Sequence, residues 1–295
     1  NPLLREIILH VNKQRGKQMR PMMVLIFGKM FGEVSDTTYS AALALELLHT
    51  GSLVHDDVVD ESMQRRGQAS VNAIYNNKLA VLVGDYLLSM ALAFTGRCGN
   101  PRITNLVGAL GQTLADGEIF QMFHSHEKLV SEEVYLEIIR KKTASLFSVS
   151  ASVGALSVGA SPAKVEAMRT FGKMLGMAFQ IVDDILDYVP NNNTGKPVAN
   201  DLRERKITLP LIEVLERVSE EEKAEIMHHL PLCAESEESV AYIQGKVAEH
   251  KGVELARETV HAYLKRAMSA LSVCGDSDYC KSLLALCEYV VERDR

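Results

Sequence analysis

The sequence predicts an all-α protein, and three observations carry that expectation. Apolar residues recur at three- and four-residue spacings, no stretch alternates with period two between turn signals, and the breakers lie far enough apart to leave long helices. Breaks are expected at Arg20-Pro21, at residues 32–36 and 96–101, at Ser161-Pro162, at residues 190–197 and at Pro231, with helices of roughly 15 to 28 residues between them. The longest loop signal, Pro190-Asn191-Asn192-Asn193-Thr194-Gly195-Lys196-Pro197, has the same composition on both sides. It reads as a functional loop, so residues 1–295 are expected to form one helical domain. Residues 143–163 carry no charge, are rich in Ser, Gly and Ala, and predict a buried core helix that does not span a membrane. Beyond residue 216 charge-rich amphipathic helices, over 219–229 and 235–250, predict a peripheral region.

Composition excludes several classes of function. Hydrophobic residues at 47% and charged residues at 24% are globular values and rule out a disordered chain. A net charge of -6 with no Lys/Arg-dense segment sets nucleic acid aside. Five cysteines without a CxxC pair point to neither a zinc site nor a disulfide framework, and a reducing cytoplasm is the expected compartment.

Chemistry is concentrated in a pattern that occurs twice. Leu53-Val54-His55-Asp56-Asp57-Val58-Val59-Asp60 and Phe179-Gln180-Ile181-Val182-Asp183-Asp184-Ile185-Leu186-Asp187 both read DDxxD within apolar sequence. Positions four apart share a helix face, so Asp56 with Asp60, and Asp183 with Asp187, each project two carboxylates in one direction. Apolar neighbours on nearly all sides bury these helices, and carboxylates there are expensive unless a cation neutralises them. Hard oxygen donors without cysteine suit Mg²⁺, which is typically held by carboxylates together with substrate phosphates. Two such clusters therefore predict a diphosphate held between them. Cationic donors stand near each: Lys17, Arg20, Arg65 and Arg66 around the first, Lys196 and Lys206 around the second.

With these features the chain resembles the trans-isoprenyl diphosphate synthases, or polyprenyl synthetases, along essentially its whole length. The resemblance rests on residues 46–60 followed by Arg65-Arg66-Gly67, on residues 179–187, on Lys142-Thr143 and on residues 196–210. It implies the helical isoprenoid-synthase bundle around a central cavity and Mg²⁺-dependent head-to-tail condensation of isopentenyl diphosphate with an allylic diphosphate. It implies three Mg²⁺ ions with bound diphosphate, ligated by Asp56, Asp60 and Asp183, with Asp57, Asp184 and Asp187 as further or water-mediated ligands. By the same resemblance Arg65, Lys142, Lys196 and Lys206 grip the allylic diphosphate, and Lys17, Arg20, His49 and Arg66 the isopentenyl diphosphate. Thr143 and Gln180 then present oxygens to the developing cation, and the protein is a homodimer. Three positions depart from the pattern: Asn72 stands where many members have His, and Ala199 and Arg205 where many have Gly.

Other readings explain less. Glu46-x-x-His49 and Glu258-x-x-His261 match the spacing of di-iron helical bundles, yet account for neither DDxxD cluster. A terpene cyclase of similar fold usually has a mixed Asn/Ser/Glu motif in place of the second cluster, and a non-catalytic partner subunit would have lost one cluster. Product length is predicted from Gly51 and Ser52, five and four residues before Asp56. Family members making short products often carry an aromatic there, so small residues predict a medium- or long-chain all-trans product, octaprenyl-like, with geranylgeranyl or farnesyl diphosphate as the alternatives. Leu47, Leu48, Phe120 and Phe123 are candidates for the cavity floor. A second reading of Gly51 is that it permits close helix packing.

Overall fold

The computed structural model describes residues 1–13, 16, 18–124, 130–189 and 199–292. In chain order the helices are α1 (Pro2–Lys13), α2 (Met19–Phe31), α3 (Asp36–Val59), α4 (Val71–Tyr75), α5 (Asn77–Arg97), α6 (Pro101–His124), α7 (Glu132–Ile139), α8 (Ser145–Ser157), α9 (Pro162–Leu186), α10 (Asn200–Arg203), α11 (Leu209–Leu215), α12 (Glu220–His229), α13 (Glu237–Glu249), α14 (Gly252–Ala270) and α15 (Asp278–Glu292). A π-helical turn, Arg140–Ala144, joins α7 to α8, and one two-stranded hairpin, β1 (Gln64–Arg65) with β2 (Gln68–Ala69), follows α3. The all-α expectation holds. The loop expected at 190–197 lies outside the described residues.

Several boundaries differ from the sequence reading. Pro21 is the third residue of α2, in the first turn where its missing N–H has no intrahelical partner, so the break precedes Met19. The apolar run from 143 is not one helix to 163. It opens in the π turn, continues as α8 and stops at Ser157, because Gly159 takes φ 74° and Pro162 starts α9. The hairpin escaped the period-two search because each strand has two residues. Its central Arg66 and Gly67 lie at φ 53° and 74°, the left-handed pair of a tight two-residue turn.

The chain divides into two compact units, one of Asn1–Leu114 with Leu146–Arg169 and the other of Ala115–Ser145 with Thr170–Arg295. In the first, α3 runs against α5 at closest approach through glycine. A Cβ on Gly51 would lie 3.2 Å from the Gly84 carbonyl oxygen and from Leu88, and one on Gly84 would collide with the His55 ring. Against α2, α8 packs through Gly154, where a Cβ would stand 2.5 Å from the Val24 carbonyl oxygen. Small residues let α8 be buried nearly all round, and two of its serines bond to backbone: Ser152 Oγ donates to the Ser148 carbonyl, Ser148 Oγ to that of Arg169, both at 2.9 Å, while Ser150 Oγ is buried without a partner among the described residues.

In the second unit the charge-rich region beyond 216 builds a core of its own. Ile226, Leu230, Cys233, Val240 and Ile243 pack with Tyr188, Leu202, Leu211 and Val214. The region expected to be peripheral therefore supports the chain directly after the second aspartate cluster.

Candidate active site

In the first unit the aspartates occupy the last turn of α3. Asp56 is half-buried, Asp57 is 2% exposed and Asp60 is exposed. The helical phase that turns Asp56 and Asp60 outward turns Asp57 inward, where its Oδ1 accepts Arg65 Nε at 2.8 Å and Nη2 at 2.5 Å. Burial pushes the Asp57 carboxyl up and Arg65 opposes it. The hairpin that delivers Arg65 is tied to the same helix end: Asn72 Nδ2 donates to the carbonyls of Asp57 at 3.2 Å and Ser62 at 3.1 Å, and Ser70 Oγ to that of Ser62 at 2.7 Å.

Arg20, His49 and Arg66 form a basic group in the same unit, with Glu46 as its acidic member. Burial lowers the Arg20 guanidinium to about 10, with Glu46 opposing and Arg66 adding to the shift. Its Nε is buried without a hydrogen-bond partner among the described residues, and its Cζ lies 5.5 Å from the centre of the Phe147 ring. Desolvation first, then Arg20, Arg66 and Arg65, push His49 down to about 2, so the imidazole is neutral at any working pH. Gly16 leaves room for Arg66, whose guanidinium would stand 2.6 Å from a Cβ there. Positive charge outweighs negative here, and an anion would relieve the imbalance. Lys17 lies outside the described residues.

In the second unit Lys142 and Thr143 sit on the π turn, a device that re-aims side chains within a helix. Lys142 forms an ion pair with Glu118 and donates to Gln121 Oε1 at 2.9 Å, and Gly117 admits the turn, since a Cβ there would approach Lys141 Cβ to 2.9 Å. Thr143 Oγ1 donates to Gln180 Oε1 at 2.7 Å, Gln180 Nε2 to Asp184 Oδ1 at 2.8 Å, and Tyr135 Oη to Asp184 Oδ2 at 2.6 Å. Asp184 is buried between these donors. Its carboxyl is held well above the usual range by desolvation and by Asp201, with the hydrogen bonds from Tyr135 and Gln180 opposing.

Asp183 and Asp187 are half-buried. Asp187 accepts the backbone N–H of Asn200 at 2.9 Å and of Asp201 at 2.8 Å, capping the short α10. Burial and Asp187 raise the Asp201 carboxyl to about 6. Lys206 pairs with Glu204 at 2.5 Å, and Lys196 lies outside the described residues. Tyr135, Asp201 and the roles of Glu46 and Asn72 were not singled out from sequence. A tyrosine in the apolar run 134–139 demands a hydrogen-bond partner when buried, and that was the available signal for Tyr135.

The remaining expectations are placed as follows. Gly51 faces α5, the close-packing geometry. Ser52 is half-buried, with its hydroxyl on the His49 carbonyl at 2.9 Å. Leu48 is buried beside Gly111, whereas Leu47 joins the cluster of Ile7, Val54 and Val83. Phe120 lies under the Lys141 ammonium at 4.4 Å, and Phe123 is 71% exposed. Glu258 and His261 are exposed on α14. Among the described residues one His/acid triad brings three potential ligand atoms within 4.8 Å, Glu222 with Glu249 and His250, and it includes no residue of either aspartate cluster. Lys246 binds its two carboxylates at 2.7 and 2.9 Å and already offsets one of their two charges.

A predominantly helical chain with two aspartate-rich helices, each accompanied by lysine and arginine, defines an isoprenoid synthase. The chain belongs to the polyprenyl synthetase family, whose family model matches residues 1–247. It is 32% identical over 294 residues to the octaprenyl diphosphate synthase of Haemophilus influenzae, covering 99% of this chain and 89% of that one. Among solved structures it is similar to a polyprenyl synthase of Caulobacter crescentus CB15, complexed with calcium and isoprenyl diphosphate, at 33% identity and TM-score 0.90, covering 100% of this chain and 89% of that chain. A geranylgeranyl pyrophosphate synthase of Bacteroides thetaiotaomicron matches at 38% identity and TM-score 0.86, covering 99% and 92%.

Proposed function

We propose that this protein condenses isopentenyl diphosphate head-to-tail onto an allylic diphosphate, giving an all-trans polyprenyl diphosphate of medium or long chain. The observation that carries the reading is the basic group of Arg20, neutral His49 and Arg66 in the same unit as Asp56 and Asp60. A basic group suits an anion and outward-turned carboxylates suit a cation, and a diphosphate with a divalent metal supplies both.

The donor set fits Mg²⁺. Asp56 with Asp60, and Asp183, offer hard carboxylate oxygens at partly exposed positions. Asp57, Asp184 and Asp187 already accept protein donors and act on the ions through position or water. As in the resemblance, we expect three ions with bound diphosphate. Bound Mg²⁺ supplies charge neutralisation on the departing diphosphate.

The chain's own groups do the rest. Arg65, Lys142, Lys196 and Lys206 hold the allylic diphosphate as its C–O bond breaks and the electron pair leaves on oxygen, and preorganised cations stabilise that oxygen most where its charge is greatest. Lys17, Arg20, His49 and Arg66 orient isopentenyl diphosphate so that its double bond meets the allylic carbon. Thr143 commits its single hydrogen to Gln180, so its lone pairs remain to face the cation. The proton lost in re-forming the double bond passes to a diphosphate oxygen.

Chain length follows Ser52, which is small and half-buried where Gly51 is committed to α5. A homodimer is part of the proposal. On α5, Leu82 and Leu92 are 62% and 66% exposed and Tyr86 is also exposed, while only 33% of its most apolar stretch is buried.

Incubation with both diphosphates and Mg²⁺, then chromatography of the dephosphorylated products, tests the reading. Longer prenyl products that vanish with EDTA are expected, and Asp56→Ala and Asp183→Ala should each remove most activity with helical circular dichroism intact. Activity indifferent to EDTA, or farnesyl as the sole end product, would refute the metal role or the length. Light scattering at micromolar concentration should show a dimer.

A further inference from the structure

We infer that Tyr135 is a positioning residue for the condensation, acting through Asp184 and Gln180 to fix which face of Thr143 is presented to the substrate. The inference rests on the function proposed above and deepens it.

Three hydrogen bonds make one directed chain within the second unit. Tyr135 is 4% exposed and donates to Asp184 Oδ2, Gln180 Nε2 donates to Asp184 Oδ1, and Thr143 Oγ1 donates to Gln180 Oε1. Each link constrains the next. A carboxylate with both oxygens engaged by donors takes only N–H from Gln180, so the amide must turn its oxygen towards Thr143. That oxygen takes the only hydroxyl hydrogen of Thr143, and lone pairs are left for the reacting centre. Tyr135 heads the chain as donor, because its phenol hydrogen points at a carboxylate oxygen that accepts it at 2.6 Å.

Remove the phenolic hydroxyl and the polarity loses its anchor. Asp184 Oδ2 is then a buried acceptor without that donor, and the carboxylate can turn about its last bond to find another. Gln180 Nε2 loses its fixed acceptor, so the amide is no longer held with its oxygen towards Thr143. The Thr143 hydrogen is then no longer drawn away from the place where positive charge develops. The side chains assigned to the diphosphates themselves are others, so the larger effect is expected on kcat.

Tyr135→Phe is the test, because it deletes one oxygen and keeps the ring. Expected is a fall in kcat of about 100-fold, the lower end of the scale for one preorganised dipole, with a smaller change in KM for both diphosphates. In a Thr143→Val background the same change should cost little more, since both act on one chain. In ¹⁵N-glutamine-labelled protein, the Gln180 side-chain amide protons should be protected from exchange in the wild type and lose protection in Tyr135→Phe. Unchanged kcat and protection would overturn the inference, as would losses that multiply in the double variant, which would mark Tyr135 as merely structural. An inactive wild type would remove the proposed function instead, and the exchange measurement would still decide the hydrogen-bond chain.

Discussion

Asp57 and Asp184 hold the same place in the same five-residue motif, and the protein neutralises them in opposite ways. Asp57, in the first unit, meets a cation: Arg65 binds it through two nitrogens from a hairpin outside the helix. Asp184, in the second, meets neutral donors among the described residues, Tyr135 and Gln180. The last aspartates differ as well, since Asp60 is an exposed helix cap and Asp187 accepts the first N–H groups of α10. The motif therefore specifies which carboxylates turn outward, and its surroundings decide what the inward one becomes. Burial raises both carboxyls, and the opposing influence is the charge of Arg65 at Asp57 and the hydrogen bonds of Tyr135 and Gln180 at Asp184.

The largest effect that separates the two is on stability. Arg65→Met strands a carboxylate buried to 2% exposure and should cost about 3 kcal/mol in urea unfolding, the loss expected when one partner of a buried pair is deleted. Tyr135→Phe removes a hydrogen bond and no charge, and should cost about 1–2 kcal/mol. Equal losses would mean that the character of the partner is immaterial.

pH separates the units next, and with opposite sign. His49 has a folded value of about 2 against an ordinary 6.5, so the unfolded chain takes the proton first. Its contribution is complete above about pH 6.5 and is lost as pH falls below that value. Asp201 runs the other way. Its folded value of about 6 lies above its ordinary 3.8, so stability is lost as pH rises from about 4 through 6. In EDTA, His49→Gln should flatten the acid side of the stability profile and Asp201→Asn the side between pH 4 and 7. Urea midpoints across pH 4 to 8 check both, and identical profiles for the two variants would erase the contrast.

What the sequence disclosed, and what it withheld, follows the same division. Both motifs, the basic pair at Arg65-Arg66 and Lys142-Thr143 are contiguous strings, and helical phase alone orders each cluster into inner and outer carboxylates. Partners remote in sequence left no such trace: Tyr135 and Asp184 are 49 positions apart. The π turn was hidden because a one-residue widening leaves the apolar period almost unchanged. Gly51 shows a further limit. A small residue before the aspartates reads equally as space for a product or as space for a helix, and only the Gly84 carbonyl and Leu88 beside it decide for the helix.

The smallest effect lies in the segment after the second cluster. Ala199 and Arg205, which the family resemblance marks as departures from glycine, both adopt left-handed backbone, φ 65° and 60°. A side chain there costs about 1–2 kcal/mol that glycine does not pay, partly offset by the greater freedom of glycine in the unfolded chain. Arg205 is exposed, so Arg205→Gly loses little packing and should stabilise by about 0.5–1 kcal/mol. Ala199 is 1% exposed and its methyl packs in the core with Leu202 and Leu211. Losing one buried methyl costs about 0.8 kcal/mol, so Ala199→Gly should leave stability nearly unchanged. Denaturant midpoints of the two single variants measure the difference directly. Equal stabilisation by both would show that backbone strain outweighs the buried methyl, and stabilisation by neither that the segment tolerates the left-handed turn without strain.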